Sequence, residues 1–487
     1  MVHDDVDLSP DASASARENT TGDGDGTDGI ASSSAPSETG AEVASADGTG
    51  GDTTSSATTT NNSTSGGSTS ADTTTDGSSG ATTGGAAPAD KSPIKVGVVI
   101  SGGNPGAAVG AQGFGGNEDR IEAEVRAVVE HINANGGYGQ HPVEMVFAAV
   151  DQTDQSESNQ ERLAAEMCER MTRDENVHLV ISTGLGTVRA QECYAERQTA
   201  LFELTNPTRA TARPWAVPST WLGPERMAAL MAHGYDELGF LSPTMGVIAF
   251  DDPPERAAVT DVLIPGIEAR GGKVLDVAYV NRSSYGDIAA NISSAVLRFN
   301  GRIDRVIMFA KGGGTWLLFT RAAESQNYRP RYGLSSWDFP SAIGPLITES
   351  QHEGAVGVGF LPLVDNYLEA LPEPDARQRA CWQIINEGTG SDYQDFSSSN
   401  AVAALGVCEA LFIGKAALDR APGAPIVREK IPAQYRDIED RFDAFAFERL
   451  RFSDRSPDAI TVWSPFSYDR QGCACFRYTD GPRNIPE

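Results

Sequence analysis

Across residues 1–90 the chain has no Phe, Trp, Tyr or Cys and a single Leu, so this stretch lacks the apolar matter for a core. Cations are nearly absent there too: Arg17 stands against fifteen Asp and Glu, and residues 1–90 carry −14 of the formal −29, leaving −15 for the rest. Residues 1–93 are low-complexity Ser, Thr, Gly, Ala and Asp, as in TTTNNSTSGGSTSADTTTDGSSG, which predicts a disordered, self-repelling spacer tail. With 38 Lys plus Arg against 67 Asp plus Glu and no basic cluster, a nucleic-acid partner is disfavoured. No apolar run approaches the roughly 18 residues of a spanning helix, which argues against an integral membrane protein. The opening MVHDDVDLSP has neither a positive nor an apolar segment. Two readings stay open: a cytoplasmic protein, or a start downstream of a signal segment and a lipid-bearing Cys.

Cysteines are few and late. Cys168 neighbours Cys193, Cys381 neighbours Cys408, and Cys473 neighbours Cys475. Many pairings are open to six cysteines, so local disulfides are an expectation, with buried free thiols as the alternative. Cys-Ala-Cys alone leaves tetrahedral zinc two ligands short, and the scattered histidines do not supply them, so no metal site is expected.

From Ile94 apolar strands alternate with amphipathic helices. Strands are predicted at 94–100, 143–150, 177–182 and 200–204, with helices between; after the Pro-punctuated 213–218 the alternation restarts, with strands at 245–250, 273–280, 304–309 and near 332–334. Then follow AVGVGF (355–360), helices at about 375–387 and 399–420, and a β-like ending in FERLRF and AITVWSP, too short for a third domain. The fold class is α/β: two doubly wound parallel units in tandem.

In open parallel sheets ligands bind beyond the carboxyl ends of the strands. Those positions hold Ser101-Gly-Gly-Asn-Pro-Gly, Thr183-Gly-Leu-Gly-Thr187, Thr205-Asn206-Pro207-Thr208, Lys311-Gly-Gly-Gly-Thr315 and Ser335-Ser336-Trp337-Asp338. Hydroxyls and open backbone there suit a small polar solute, although turns and helix caps favour the same residues. Catalytic motifs are missing. No G-x-G-x-x-G follows the first strand, so Asp151 is a weak ribose-binding acid and an NAD-dependent enzyme is disfavoured; Gly312–Thr315 lacks the Gly-Lys-Ser/Thr of a P-loop, and no G-x-S-x-G occurs. Asp251-Asp252 reads as a charged turn before a helix.

Lys-Val-Gly-Val-Val-Ile-Ser from Lys95, the helix closing on HINANGG, a strand ending in Asp151 and the late helix SSNAVAALGVCEALFIGKAAL resemble the type I periplasmic solute-binding proteins of ABC importers, nearest the leucine/isoleucine/valine-binding subgroup. The resemblance covers most of 94–465. It implies two Rossmann-like lobes joined by a multi-crossover hinge: lobe one from 94–217 and 360–452, lobe two from 218–359 and 453–487. It implies no enzyme activity and no cofactor, an extracytoplasmic and membrane-tethered location, a small polar solute (amino acid, amide or related carboxylate) and an ABC permease as partner. A ligand-sensing receptor on the same lobes is the alternative. Matched by position, the solute-holding residues fall on Thr183, Gly184, Asn206 and Thr208 in lobe one, with Ser101 at the first strand end. In lobe two they fall on Gly313, Trp337 and Asp338, with Phe360 as a hinge aromatic. Gly184 and Gly313 stand where amino-acid binders of the family place Ser and Tyr. Lys311 at the cleft edge would suit a carboxylate, and Asp338 a cationic or hydrogen-donating group; the alternative is that Trp337 is lobe packing and Asp338 a helix N-cap.

Overall fold

A run of β-favouring residues, Ile94–Gly102, forms β1, buried at every position but Lys95. It pairs in parallel with β2 (Val143–Asp151) and β3 (Leu179–Ser182), and β3 with β4 (Ala200–Glu203), giving the order β2-β1-β3-β4. A computed structural model describes residues 92–102, 117–151, 157–182, 187–204, 215–422, 425–447, 449–453 and 456–486. Thr183, Gly184, Asn206, Thr208 and nearly all of the tail lie outside the described residues.

The helix Glu118–Ala134 starts at Asn117, whose side chain accepts the Arg120 amide at 3.0 Å, and buries Ile121, Val125, Val128 and Ile132 as one stripe. It packs against two helices from late in the chain, Ala376–Thr389 and Ser399–Leu418. Helices Glu157–Glu169 and Val188–Glu196 pack through a cluster that includes Val99, Val150, Leu163, Val180 and Leu201. Two disulfides lace these helices: Cys168–Cys193 joins the second pair of helices, and Cys381–Cys408 joins the two late ones.

The second sheet is larger. Five parallel strands, β5 (Met245–Phe250), β6 (Val274–Val280), β7 (Arg305–Met308), β8 (Arg331–Ser335) and β9 (Val356–Gly359), run in the order β6-β5-β7-β8-β9. Beyond β9 the C-terminal segment adds β10 (Val462–Asp469), antiparallel, with β11 (Cys475–Tyr478) and β12 (Arg483–Asn484) paired to it. A third disulfide, Cys473–Cys475, sits at the β10–β11 turn. The core combines Val306, Met308, Trp316, Phe319, Tyr332, Phe466 and Phe476.

Two expectations change. Among the described residues of FERLRF there is no strand but a single bridge, Leu450 to Ile460, with Leu450 and Phe452 buried and Phe452 against Phe202 of β4. Ser399–Leu418, with a mean hydropathy of 1.8, is long and apolar enough to cross a membrane, against the reading that no run comes close; 89% of its apolar window is buried inside the fold.

The chain passes between the sheets three times: after β4, between β9 and the helix at Ala376, and ahead of β10. The first and third passages lie side by side. The Ser219 amide donates to Pro457 O at 3.3 Å, the Ala459 amide to Ser219 O at 2.7 Å, and Arg226 pairs with the buried Asp458.

Candidate ligand-binding site at the strand ends

On the second sheet the strand ends are built by short-range hydrogen bonds. β5 runs into Asp251-Asp252: Asp252 caps the next helix by accepting the Glu255 amide at 2.9 Å and pairs with Arg282 at 3.1 Å, while Asp251 pairs with Arg256. The pair is a charged turn, as its sequence implies. Glu255, one turn in, folds back under the strand end and accepts the Phe250 amide at 2.8 Å. It is 3% exposed, and burial, aided by the Asp252 charge, raises its carboxyl pKa.

Lys311 follows β7, partly exposed, with its ammonium 5.3 Å from the centre of the Trp337 ring. Burial lowers its pKa, and Glu255 nearby opposes the shift. Asp252 and Glu203 also act on it, so the end of β4 in the first sheet lies within electrostatic reach of the second.

The turn after Lys311 needs its glycines. Gly312 and Gly313 have φ of 103° and 68°, and a Cβ on Gly313 would sit 2.7 Å from Asp338 O. A side chain at 313 would therefore push away the Trp337–Asp338 turn, which instead closes on Lys311's loop through the Gly312 amide to Trp337 O at 2.9 Å.

Asp338 is turned inward. Its Oδ2 accepts the Ser335 amide at 2.8 Å and the Ser335 hydroxyl at 3.3 Å, closing a capping box. It is 0% exposed, Oδ1 has no hydrogen-bond partner among the described residues, and burial holds its carboxyl well above the usual range. Trp337 is equally buried, edge-on to Phe309 at 5.3 Å. As placed, neither side chain faces open solvent. Oδ2 of Asp338 thus caps its own turn, while Oδ1 is uncommitted.

Phe360, after β9, joins Trp221 and Phe339 in an aromatic cluster: Trp221 stacks on Phe339 and meets Phe360 edge-on, both at 5.7 Å. Phe339 holds a left-handed φ of 52°, rare for a bulky residue. The Phe360 amide donates to Ser336 Oγ at 2.8 Å, and Ser336 donates to Asp365 Oδ2 at 2.9 Å. Asp365 also accepts the Tyr478 hydroxyl at 2.7 Å and the Leu361 amide at 2.9 Å, and burial pushes its carboxyl up to about 7. A Cβ at Gly359 would lie 2.4 Å from that Oδ2, so the glycine makes room for the network.

On the first sheet the register sets Val99, Ser182 and Glu203 in line, with Ser101 opposite Val150. Ser101, Ser182 and Glu203 are all buried. Sequence reasoning missed Ser182, Glu203, Glu255 and Asp365; for the first two the available signal was a polar residue ending an apolar strand. Among the described residues no cluster of His, Cys, Asp or Glu could hold a metal ion.

Two parallel sheets joined by three chain passages have counterparts among solved structures. An extracellular ligand-binding receptor from Rhodopseudomonas palustris HaA2 matches with a TM-score of 0.55 at 17% identity, over 80% of this chain and 100% of its own. The chain has the fold of the two-lobe solute-binding proteins. A possible leucine/isoleucine/valine-binding protein from Rhodopirellula baltica SH 1 matches with a TM-score of 0.52 at 16% identity, over 82% of this chain and 98% of its own. A solute-binding protein of an R. palustris ABC transporter, in complex with 4-hydroxybenzoate, matches with a TM-score of 0.56 at 15% identity, over 81% and 98%. No family model matches the chain, and no curated protein does.

Proposed function

We propose that the chain is an extracytoplasmic solute-binding protein that traps a small polar solute bearing a carboxylate between its two sheets and delivers it to an ABC permease. The observation that carries this reading is Lys311, a partly exposed cation over the Trp337 face at the end of β7, within electrostatic reach of the first sheet's Glu203. The solute-binding neighbours include a complex with Leu and one with 4-hydroxybenzoate, and both ligands carry a carboxylate. In this reading lobe one is 94–217 with 360–452, and lobe two 218–359 with 453–487. Thr183, Gly184, Asn206, Thr208 and Ser101 hold the solute from the first lobe, and Phe360 sits at the hinge. Gly313, Trp337 and Asp338 shape the second-lobe wall, and Lys311 makes the charged contact.

A thermal-shift screen of amino acids, amides and small aromatic acids identifies the solute class. Lys311→Met then weakens the best hit about tenfold to a hundredfold, the effect of losing a hydrogen bond to a charged group, with little change in the unliganded melting temperature. Unchanged affinity would remove Lys311 from the site, and turnover of the bound compound would replace the binding reading with an enzyme.

A further inference from the structure

Two of the disulfides join cysteines 25 and 27 positions apart, whereas Cys473–Cys475 encloses a single residue. The stabilisation a disulfide brings through the unfolded chain grows with the loop it closes, so this bond does least to hold the fold. It is also the one bond of the three with an exposed cysteine. Cys473 stands exposed in the β10–β11 turn and Cys475 is buried, while Cys168, Cys381 and Cys408 are buried and Cys193 is half-buried. Ala474, between the two sulfurs, holds a left-handed φ of 51°, a conformation that a Cβ disfavours and that opening of the bond would release.

The strand that starts at Cys475 is where the second passage is tied to the sheet. The Tyr367 amide donates to Phe476 O at 2.9 Å, the Tyr478 amide to Asn366 Oδ1 at 2.6 Å, and the Tyr478 hydroxyl to Asp365 Oδ2 at 2.7 Å. Asp365 in turn accepts the Leu361 amide at 2.9 Å. The residues that leave β9 for the other sheet are thus fastened to β11, three residues or fewer from a reducible bond.

We propose that Cys473–Cys475 is a thiol–disulfide exchange site for dithiols, and that its redox state sets how firmly β11 holds the second passage. One thiolate of the dithiol attacks the exposed Cys473 Sγ. The Cys473–Cys475 bond breaks, and its electron pair leaves on Cys475 Sγ, which takes up a proton. The second thiol of the dithiol, as thiolate, then attacks the dithiol's own sulfur in the mixed disulfide and releases Cys473, which is protonated. The dithiol ends as a disulfide, and the protein has gained two electrons and two protons. With the bond open, the turn no longer fixes the first residue of β11, and the hydrogen bonds from β11 to 365–367 open more often.

The test treats the disulfide-intact full chain with graded dithiothreitol in the absence of denaturant. Thiols are alkylated in denaturant after an acid quench and mapped by mass spectrometry. Expected is opening of Cys473 and Cys475 at a dithiothreitol concentration about tenfold or more below that needed for the other four cysteines, with one dithiothreitol oxidised per chain. Hydrogen exchange in the segments 361–367 and 475–478 then rises about tenfold in the selectively reduced chain, while 245–250 is unchanged. The double variant Cys473→Ser, Cys475→Ser shows the same rise without any dithiol. Reduction of all three bonds together, or of this one last, overturns the exchange site. Unchanged exchange at 361–367 in the selectively reduced wild type overturns the hold on the second passage, whatever the double variant does.

Discussion

The two sheets are stabilised by different means. Around the first, helices are tied covalently, with Cys168–Cys193 on one pair and Cys381–Cys408 on another. Around the second, the ties are aromatic: Phe476 alone packs against Trp316, His352, Tyr367, Phe466 and Tyr468. Its disulfide, Cys473–Cys475, spans a turn with an exposed Cys473 and ties no helices together. One half thus draws on unfolded-state constraint and the other on packing, so reductant and core truncation should separate them.

The largest effect expected is from Phe476→Ala, which removes the centre of the ring cluster and costs about 3–5 kcal/mol, read as a lowered unfolding midpoint with the β10–β12 segment exposed first to hydrogen exchange. Replacing Cys381 and Cys408 together by Ser costs about 2–4 kcal/mol and exposes the helices Ala376–Thr389 and Ser399–Leu418 instead. If both variants melt the same segments, the halves are not energetically distinct.

A smaller effect follows from buried acids, which lie on both sides of the comparison. Burial pushes Asp365 up to about 7, Glu409 to about 8 and Asp458 to about 6. Each binds more protons folded than unfolded between its unfolded pKa near 4 and its folded value, so stability falls as pH rises through that window. His352, pushed down to about 4 by burial among rings, acts the other way, removing stability as pH falls below about 6.5. Three acids outweigh one histidine, so the melting temperature should fall from about pH 4 toward pH 8; a flat profile would mean these acids are hydrated. Smallest of all, deleting residues 1–90 should leave both solute affinity and melting temperature unchanged, since that composition supplies no packing.

Much of this architecture was legible beforehand, for a physical reason. β1, β5 and β7 are buried on both faces and so read as unbroken apolar runs, and helix stripes such as Ile121–Ile132 repeat at the helical period. The antiparallel extension was harder. VWSPFSYD is interrupted by Pro465, and its partner β9 lies about a hundred residues earlier, so local pattern carried little of the pairing. At the candidate site the glycine-rich loop after Lys311 was visible, but not that Gly313 yields space to the backbone of Asp338. Asp338 itself was seen as a strand-end acid. Whether such an acid faces a cleft or caps its own turn depends on one rotamer, and Ser335, three residues before it, was the clue to the cap.

The pairing of the first and third passages has a mechanical meaning. Ser219 is hydrogen-bonded to the backbone of the 457–459 segment, and Arg226 clamps Asp458. Two of the three links between the sheets therefore behave as a single two-ply strap, with the third running on its own. A strap of two bonded strands flexes across its thin direction and resists shear in its plane. Any opening of the molecule would thus be channelled toward one rocking axis.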